Sequence, residues 1–268
     1  MDKVLTFEQV QGFVREIKAR KEGYITNFFW DENKHPYWLD AGKLEYAKCG
    51  DCYILSHQNQ SFVNLFYIAT CMGAVANALR HVSLDQDTVI DVICRNQGEG
   101  EVDVLKSVGF DLYRHLFRMS HIGTMADDTW ELPREVVFAD LSDTQTVYDS
   151  LHESFDPLCE QLPSFKEVAD YIQKKQVLVI KEKQALCGFL IYEMAGSTTW
   201  YLRYWYTSPS YRDKMIGSKL LRSSLTLGRN TKRQQLWVVS DNQNAINRYE
   251  HYGFRKESMN DYVMIRYK

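Results

Sequence analysis

Arg212, Lys214 and Gly217 sit close together in the stretch WYLRYWYTSPSYRDKMIGSKLLRSSLTL, residues 200–227, and they are the residue types that hold an oxyanion. Their setting decides the chemistry. Residues 200–207 form an aromatic and β-branched run that predicts a strand. Ser208, Pro209 and Ser210 break it, because proline lacks the ladder donor and fixes φ. From Ile216 onward the apolar residues Ile216, Leu220, Leu221 and Leu225 recur at helical spacing. A strand therefore feeds a tight loop that opens a helix. The free amides of a helix start, with cations beside them, make an anion site whose natural occupant is phosphate. A basic helix start on any α/β protein would show the same pattern.

A second stretch follows. Residues 236–240, LWVVS, read as a short apolar strand, and DNQNAINRYEHYGF comes directly after them. The two stretches together resemble the GNAT superfamily of acyl-CoA-dependent N-acyltransferases. That family's cofactor loop reads Arg/Gln-x-x-Gly-x-Gly/Ala after a strand that ends near a proline. Here the line is Arg212, Asp213, Lys214, Met215, Ile216, Gly217, with Met215 replacing the first glycine. A side chain then stands where backbone should approach a pyrophosphate, and a negative φ at Met215 would keep the cost small. The family's second signature, Asn-x-x-Ala-x-x-x-Tyr-x-x-x-Gly-Phe, is matched by Asn242, Ala245, Tyr249, Gly253 and Phe254.

The resemblance implies acetyl-CoA, or another short acyl-CoA, as acyl donor and a primary amine of a small molecule or peptide as acceptor. It implies binding of the donor by Tyr206, Thr207, Arg212, Asp213, Lys214, Met215, Ile216, Gly217, Ser218 and Asn242. In the family the strand before the loop splays from its neighbour, so the backbone of Tyr206 and Thr207 would hold the pantetheine and polarise the thioester. Tyr249 would protonate the leaving thiolate, and its alternative is a tyrosine that packs on the sheet. Asn242 would bond the pantetheine arm, cap a helix, or do both. Acyl transfer also needs a neutral amine and a donor for the oxyanion. The base is not legible: Glu193, at a strand end, is the first choice, against a solvent-facing carboxylate or deprotonation through water. Arg203, amid Tyr201, Tyr204 and Trp205, could meet an acidic or aromatic acceptor or stack on a sheet face. Two further functions stay open, an aminoacyl transferase using charged tRNA and a CoA-binding scaffold without turnover.

The elements that must carry these residues span 268 positions, enough for one large or two modest domains. The net charge of −3 argues against a nucleic-acid groove. No apolar run approaches a membrane span, and the charged start MDKVLTFEQVQGF is no signal peptide. Six scattered cysteines include one C-x-x-C, Cys49 to Cys52, without a second pair to complete a zinc site. A cytoplasmic setting fits, no metal is expected, and a homodimer is admitted.

Thr6 with Gln9, and Ser142 with Gln145, read as capping boxes of two helices. Both halves run capped helix, strands, long strand, helix, strand, short helix, Gly-Phe and a final strand. The expected fold is therefore α/β (α+β): two tandem GNAT-like domains, each a mixed, mostly antiparallel sheet flanked by helices. Residues 1–125 would form a degenerate copy that does not bind cofactor and serves a structural or substrate-shaping role. Residues 134–268 would form the acetyl-CoA-binding catalytic copy. In the first copy Leu105 stands where Tyr249 stands and Gly98 where Asn242 stands, and its loop from Ala69 to Val75 carries no cation. The order of elements alone also permits one larger mixed sheet.

Overall fold

The computed structural model describes residues 1–59, 61–123 and 131–268, apart from the side chains of Arg212 and Asp213. The chain divides into two compact units, Met1–Leu116 with Ser258–Lys268, and Phe117–Glu257.

In chain order the first unit holds β1 (Asp2–Lys3), α1 (Phe7–Ala19), β2 (Ile25–Thr26), α2 (His35–Asp40), β3 (Leu44–Cys49), β4 (Cys52–Gln58), β5 (Val63–Ala69), α3 (Met72–Leu79), β6 (Thr88–Arg95), α4 (Glu99–Lys106) and the start of β7 (Asp111–Ile122). Strands β1, β3, β4 and β5 pair antiparallel in that order, and β5 then pairs parallel with β6. Alternating side chains fill two cores on opposite faces. Ile54, Leu65, Ile90 and Leu105 belong to one, and Phe13, Leu44, Leu55 and Phe66 to the other.

The second unit holds β8 (Val137–Phe138), α5 (Thr144–Ser154), α6 (Phe165–Gln173), β9 (Val177–Glu182), β10 (Ala185–Ala195), β11 (Thr199–Thr207), α7 (Ile216–Leu227), β12 (Arg233–Val239), α8 (Gln243–His251) and the start of β13 (Arg255–Arg266). Strands β8 to β11 pair antiparallel in order, and β11 then pairs parallel with β12. One face is covered by α7 and α8 through Leu220, Leu221, Ile246 and Tyr249. The other is covered by α5 and α6 through Val147, Leu151, Val168 and Tyr171. The repeated plan is thus a mixed, largely antiparallel sheet with helices on both faces, as expected.

Two expectations differ from what folds. The strand near the C-terminus was expected to close the second domain. Instead β13 runs antiparallel to β6 from Met259↔Arg95 to Arg266↔Thr88, and buries Met264 in the first unit's core. The units therefore exchange the boundaries 1–125 and 134–268 for a first unit that includes Ser258–Lys268. A repeat places a strand in each copy without saying which sheet takes it. The connector expected at 121–133 lies partly outside the described residues. A 3-10 turn, Leu141–Asp143, leads into α5 and is capped by Asp140, which accepts from the Ser142 amide at 2.9 Å while the Asp143 carboxylate accepts from the Asp140 amide at 3.0 Å. Gln145 turns to Asp149 instead, at 2.8 Å. At α1 the Thr6 side chain accepts from the Gln9 amide at 3.3 Å, as expected, but Gln9 Oε1 accepts from the Leu5 amide at 2.9 Å, so the box is not reciprocal.

Candidate active site

Strand β11 stays paired with β10 along its length, from Thr199↔Ala195 to Thr207↔Gly188. Against β12 it pairs only at Thr199↔Arg233, Trp200↔Gln234 and Tyr201↔Gln235. Beyond that point the two strands part, and the edge of β11 over residues 202–207 is open. The Ser208 amide donates to Cys187 O of β10 at 2.9 Å, and a Cβ at Gly188 would stand 2.7 Å from Tyr206 O. Successive residues of a strand turn their backbone groups to opposite edges. Tyr206 therefore addresses β10, while Trp205 and Thr207 address the gap. Of the two expected backbone contacts, Thr207 is placed at the gap and Tyr206 is not. Trp205 replaces it, a result that parity counted from Ser208 supplies once the pairing is known.

The loop after β11 is a 3-10 turn over Pro209–Lys214, followed by Met215 at φ 56°, ψ 19°. The negative φ expected at Met215 is not adopted. The position keeps the left-handed conformation that favours glycine, at a cost of about 1–2 kcal/mol for a residue with a Cβ. The Met215 side chain points to solvent, 66% exposed, so it leaves the backbone accessible. Among the described residues no side chain caps α7, and its first internal bond runs from the Lys219 amide to Met215 O at 3.0 Å. The amides of Ile216, Gly217 and Ser218 thus have no acceptor within the helix. Arg212 and Asp213 belong to this turn, but their side chains lie outside the described residues. Lys214 stands 2.9 Å from Glu182, with both side chains more than half exposed, so the pair is weak and can be exchanged for another anion.

Gly217 has a different task from the one its motif suggests. A Cβ there would lie 2.9 Å from Thr207 Oγ1 and 3.0 Å from the Trp205 ring. The glycine seats α7 on β11 and so sets the distance between the helix start and the open strand edge. Gly188 does the same from β10, where a Cβ would meet Ile216 at 2.9 Å.

Tyr249 is buried on α8, with its ring 5.5 Å from that of Trp205 and 5.8 Å from that of Phe254. Burial, with the nearby Glu160 charge, pushes its phenol well above the ordinary tyrosine value. Asn242 caps α8, its Oδ1 accepting from the Ala245 amide at 3.2 Å. Gly253, at φ 86°, where a Cβ would stand 2.9 Å from the His121 ring, lets the chain drop Phe254 into the core.

Glu193 is not a solvent-facing carboxylate. It is 5% exposed, lies 3.6 Å from Arg203 Nε, and accepts from the Tyr171 hydroxyl at 3.2 Å. Arg203 is the extra residue of a bulge, since Ile191 faces Tyr204 and Tyr192 faces Leu202. Its guanidinium lies 5.2 Å from the Tyr201 ring and 5.6 Å from the Tyr204 ring. Burial works against that charge, but Tyr204 and Glu193 hold it ionised. Sequence reasoning missed Glu160, in the proline-broken stretch between α5 and α6. Burial raises its carboxyl to about 7, against the pull of Arg203 and with a push from Asp156. Nothing local marks it, because its surroundings come from β11.

The first unit repeats the splay and then fills it. Strands β5 and β6 pair only from Val63↔Thr88 to Leu65↔Ile90. Strand β2 lies against the rest of β5, Ile25↔Ala69 and Thr26↔Ile68. The next residue, Asn27, closes the gap with its side chain. Its Nδ2 donates to Leu65 O at 3.4 Å and Asp91 O at 2.9 Å, and its Oδ1 accepts from the Tyr67 amide at 2.7 Å. Gly23, at φ 117°, admits this segment, since a Cβ there would stand 2.7 Å from Thr70 O.

A parallel strand pair that opens toward an uncapped helix start is the frame of an acyl-CoA-dependent transferase fold, and only the second unit keeps it open. Its residues 144–254 match the model of the Acetyltransferase (GNAT) family. Among solved structures, a tandem GNAT protein from the clavulanic acid biosynthesis pathway is 11% identical with a TM-score of 0.64, covering 98% of this chain and 96% of that one. An acetyltransferase from the GNAT family of Colwellia psychrerythraea is 10% identical with a TM-score of 0.57, covering 100% and 99%. A GCN5-related N-acetyltransferase from Sphaerobacter thermophilus is 12% identical with a TM-score of 0.57, covering 81% and 76%. A search among curated protein sequences returns no match. At these identities the structural likeness establishes the fold, a tandem GNAT arrangement.

Proposed function

We propose that the second unit transfers an acetyl or other short acyl group from acyl-CoA to a primary amine of a small molecule or peptide. The observation that carries this reading is the open β11 edge beside the uncapped start of α7. The backbone of Trp205 and Thr207 offers donors and acceptors to the amide groups of a pantetheine arm, as a third strand would. The amides of Ile216, Gly217 and Ser218, aided by the loop cations, suit the pyrophosphate at the helix start. A thioester held along the edge would have its carbonyl polarised by a strand amide.

The amine attacks that carbonyl, a C–N bond forms and the C–S bond breaks. Tyr249 is the general acid that gives its hydroxyl proton to the leaving thiolate. Its raised pKa keeps the proton in place until a thiolate develops. Asn242 both caps α8 and fixes the helix that presents Tyr249. Direct attack is favoured over a covalent enzyme intermediate because Cys187, which neighbours Tyr211 of the loop, is buried in the core. The first unit, with Asn27 in its gap, binds no CoA and serves as scaffold. All six cysteines are free thiols, which suits a reducing cytoplasm. No described helix is long and apolar enough to cross a membrane.

The test is acetyl-CoA-dependent thiol release across a panel of primary amines, with mass spectrometry of the products. Release coupled to a mass gain of one acetyl group on an amine supports the reading. Acetyl-CoA binding without product on any amine would refute it.

A further inference from the structure

The C-x-x-C of the first unit has no part in acyl transfer, and its folded geometry gives it chemistry of its own. Cys49 ends β3, Cys52 begins β4, and the two are direct cross-strand partners. Gly50, at φ 59°, and Asp51 make the two-residue turn between them. Residues opposite each other in a ladder present their side chains on one face. Here that face is the one covered by α3: Cys52 is fully buried in its core, and Cys49 packs against the same core. The turn is held from two sides. The Thr70 amide donates to Asp51 O at 3.1 Å, and the Asp51 carboxylate pairs with Arg20, the residue after α1.

Distance decides which thiols can be joined. Residues that close a two-residue turn exchange both backbone hydrogen bonds, which sets their Cα atoms about 5.5 Å apart. That lies within the span of about 4.4–6.8 Å that a disulfide bridges. Cys71, the exposed N-cap of α3, is a third thiol at this end of the sheet. Cys52 faces Ala69 across β4 and β5, so Cys71 is its diagonal neighbour. A diagonal pair stands about 7–8 Å apart, beyond that span. Access then separates the two members of the pair. Cys49 lines a cavity of about 710 Å³, together with Ala47, Ser56, Leu65 and His81. A small solute reaches Cys49 through it, whereas Cys52 has no exposed surface. Burial pushes the Cys52 thiol up to about 12, with Cys49 and Cys71 adding to the shift, so it is the slower nucleophile.

We propose that Cys49 and Cys52 are a redox-active dithiol, a modification site that takes small disulfides of the glutathione class and closes to an intramolecular disulfide. The Cys49 thiolate attacks one sulfur of glutathione disulfide, whose S–S bond breaks and releases one glutathione. Cys52 then attacks the Cys49 sulfur of the mixed disulfide, the second glutathione leaves, and the Cys49–Cys52 bond forms. Two protein thiols lose two electrons and two protons, and the oxidant takes up both and becomes two thiols. The cavity admits reduced glutathione by the same path, so the bond is reversible and belongs with the labile disulfides found in reducing compartments. This chemistry is independent of acyl transfer.

The test uses the full chain. Reduced protein is incubated with glutathione disulfide, remaining thiols are blocked with N-ethylmaleimide in denaturant, and the chain is cut with trypsin and chymotrypsin. Cleavage after Lys48 and Tyr53 yields residues 49–53 as one peptide that holds both members of the pair and not Cys71. The expected result is a peptide lighter by two hydrogens than its reduced form, unalkylated and free of glutathione. Excess reduced glutathione should return it to the dithiol. Cys71→Ser should leave the loss of two hydrogens in place, and Cys49→Ser should abolish it. A parent peptide that stays a dithiol, a glutathione adduct that persists on Cys49, or a disulfide from Cys52 to Cys71 would each overturn the proposal. So would a pair that stays oxidised in excess reduced glutathione.

Discussion

The first unit should lose stability steeply in mild acid, and two histidines set the size of the effect. His57, 6% exposed, stacks on Trp38 with ring centroids 3.7 Å apart. His35 is 4% exposed and its Nδ1 accepts from the Asp31 amide at 2.8 Å. Burial lowers both imidazoles to about 3, with Lys34 pressing on each, His57 adding to the shift of His35 and Lys43 to that of His57. The folded unit therefore refuses a proton that the unfolded chain accepts below about 6.5. Stability contributed by each site is complete above that value and is lost as pH falls toward 3. One pH unit is worth about 1.4 kcal/mol per group. From pH 6.5 to 4.5 the pair should then cost roughly 4–5 kcal/mol, a large part of a typical stability of about 5–15 kcal/mol. The perturbation is His57→Phe, which keeps an aromatic ring against Trp38 and removes one titrating site. Amide hydrogen exchange of β4 and β5, followed between pH 7.5 and 4.5, reads this unit separately. The variant should lose stability with about half the histidine-dependent slope of the parent. Parallel curves for parent and variant would refute the assignment of the acid lability to these imidazoles.

Three further outcomes are expected. Tyr249→Phe keeps the ring against Trp205 and deletes only the hydroxyl, so kcat should fall by about 10²–10⁴-fold with acetyl-CoA affinity nearly unchanged; a kcat within twofold would return Tyr249 to a packing role. Gly217→Ala must displace Thr207 and Trp205 from contacts of 2.9 and 3.0 Å, so denaturant unfolding should show a loss of about 1–3 kcal/mol and calorimetry a weaker acetyl-CoA complex. Asn27→Ala strands the Tyr67 amide and the carbonyls of Leu65 and Asp91, and should cost about 1–3 kcal/mol for the buried amide alone without creating a second acetyl-CoA site; unchanged stability would contradict the plug.

The site was legible where function resides in backbone reached through a local motif. Pro209, the start of the Ile216 helix and the Asn242-to-Phe254 spacing locate the loop, the helix and the tyrosine without any tertiary knowledge. Matching to the family placed Tyr206 at the open edge, but the bulge at Arg203 and the pairing with β10 decide which amides face outward. Gly217 was assigned to phosphate approach, yet its reason is the Trp205 and Thr207 side chains beneath α7. The setting of Glu193 was not legible because exposure is a tertiary property: Tyr171 and Arg203 seal it. The final strand was assigned to the wrong unit, since its partner β6 lies more than 160 positions earlier in the chain and has no local signature. The expectation that the first copy binds no cofactor rests in the sequence on missing cations; the filling of its gap by Asn27 is a tertiary feature with no local signature.

The central claim is that the chain carries two splayed strand pairs and that one of them is open to acyl-CoA. Isothermal titration of the full chain with acetyl-CoA tests it directly, paired with amide hydrogen exchange. One molecule should bind per chain, with protection gained at Trp205, Thr207 and the amides of Ile216, Gly217 and Ser218, and none gained at Tyr67. Two bound molecules, or protection confined to β5 and β6, would contradict it.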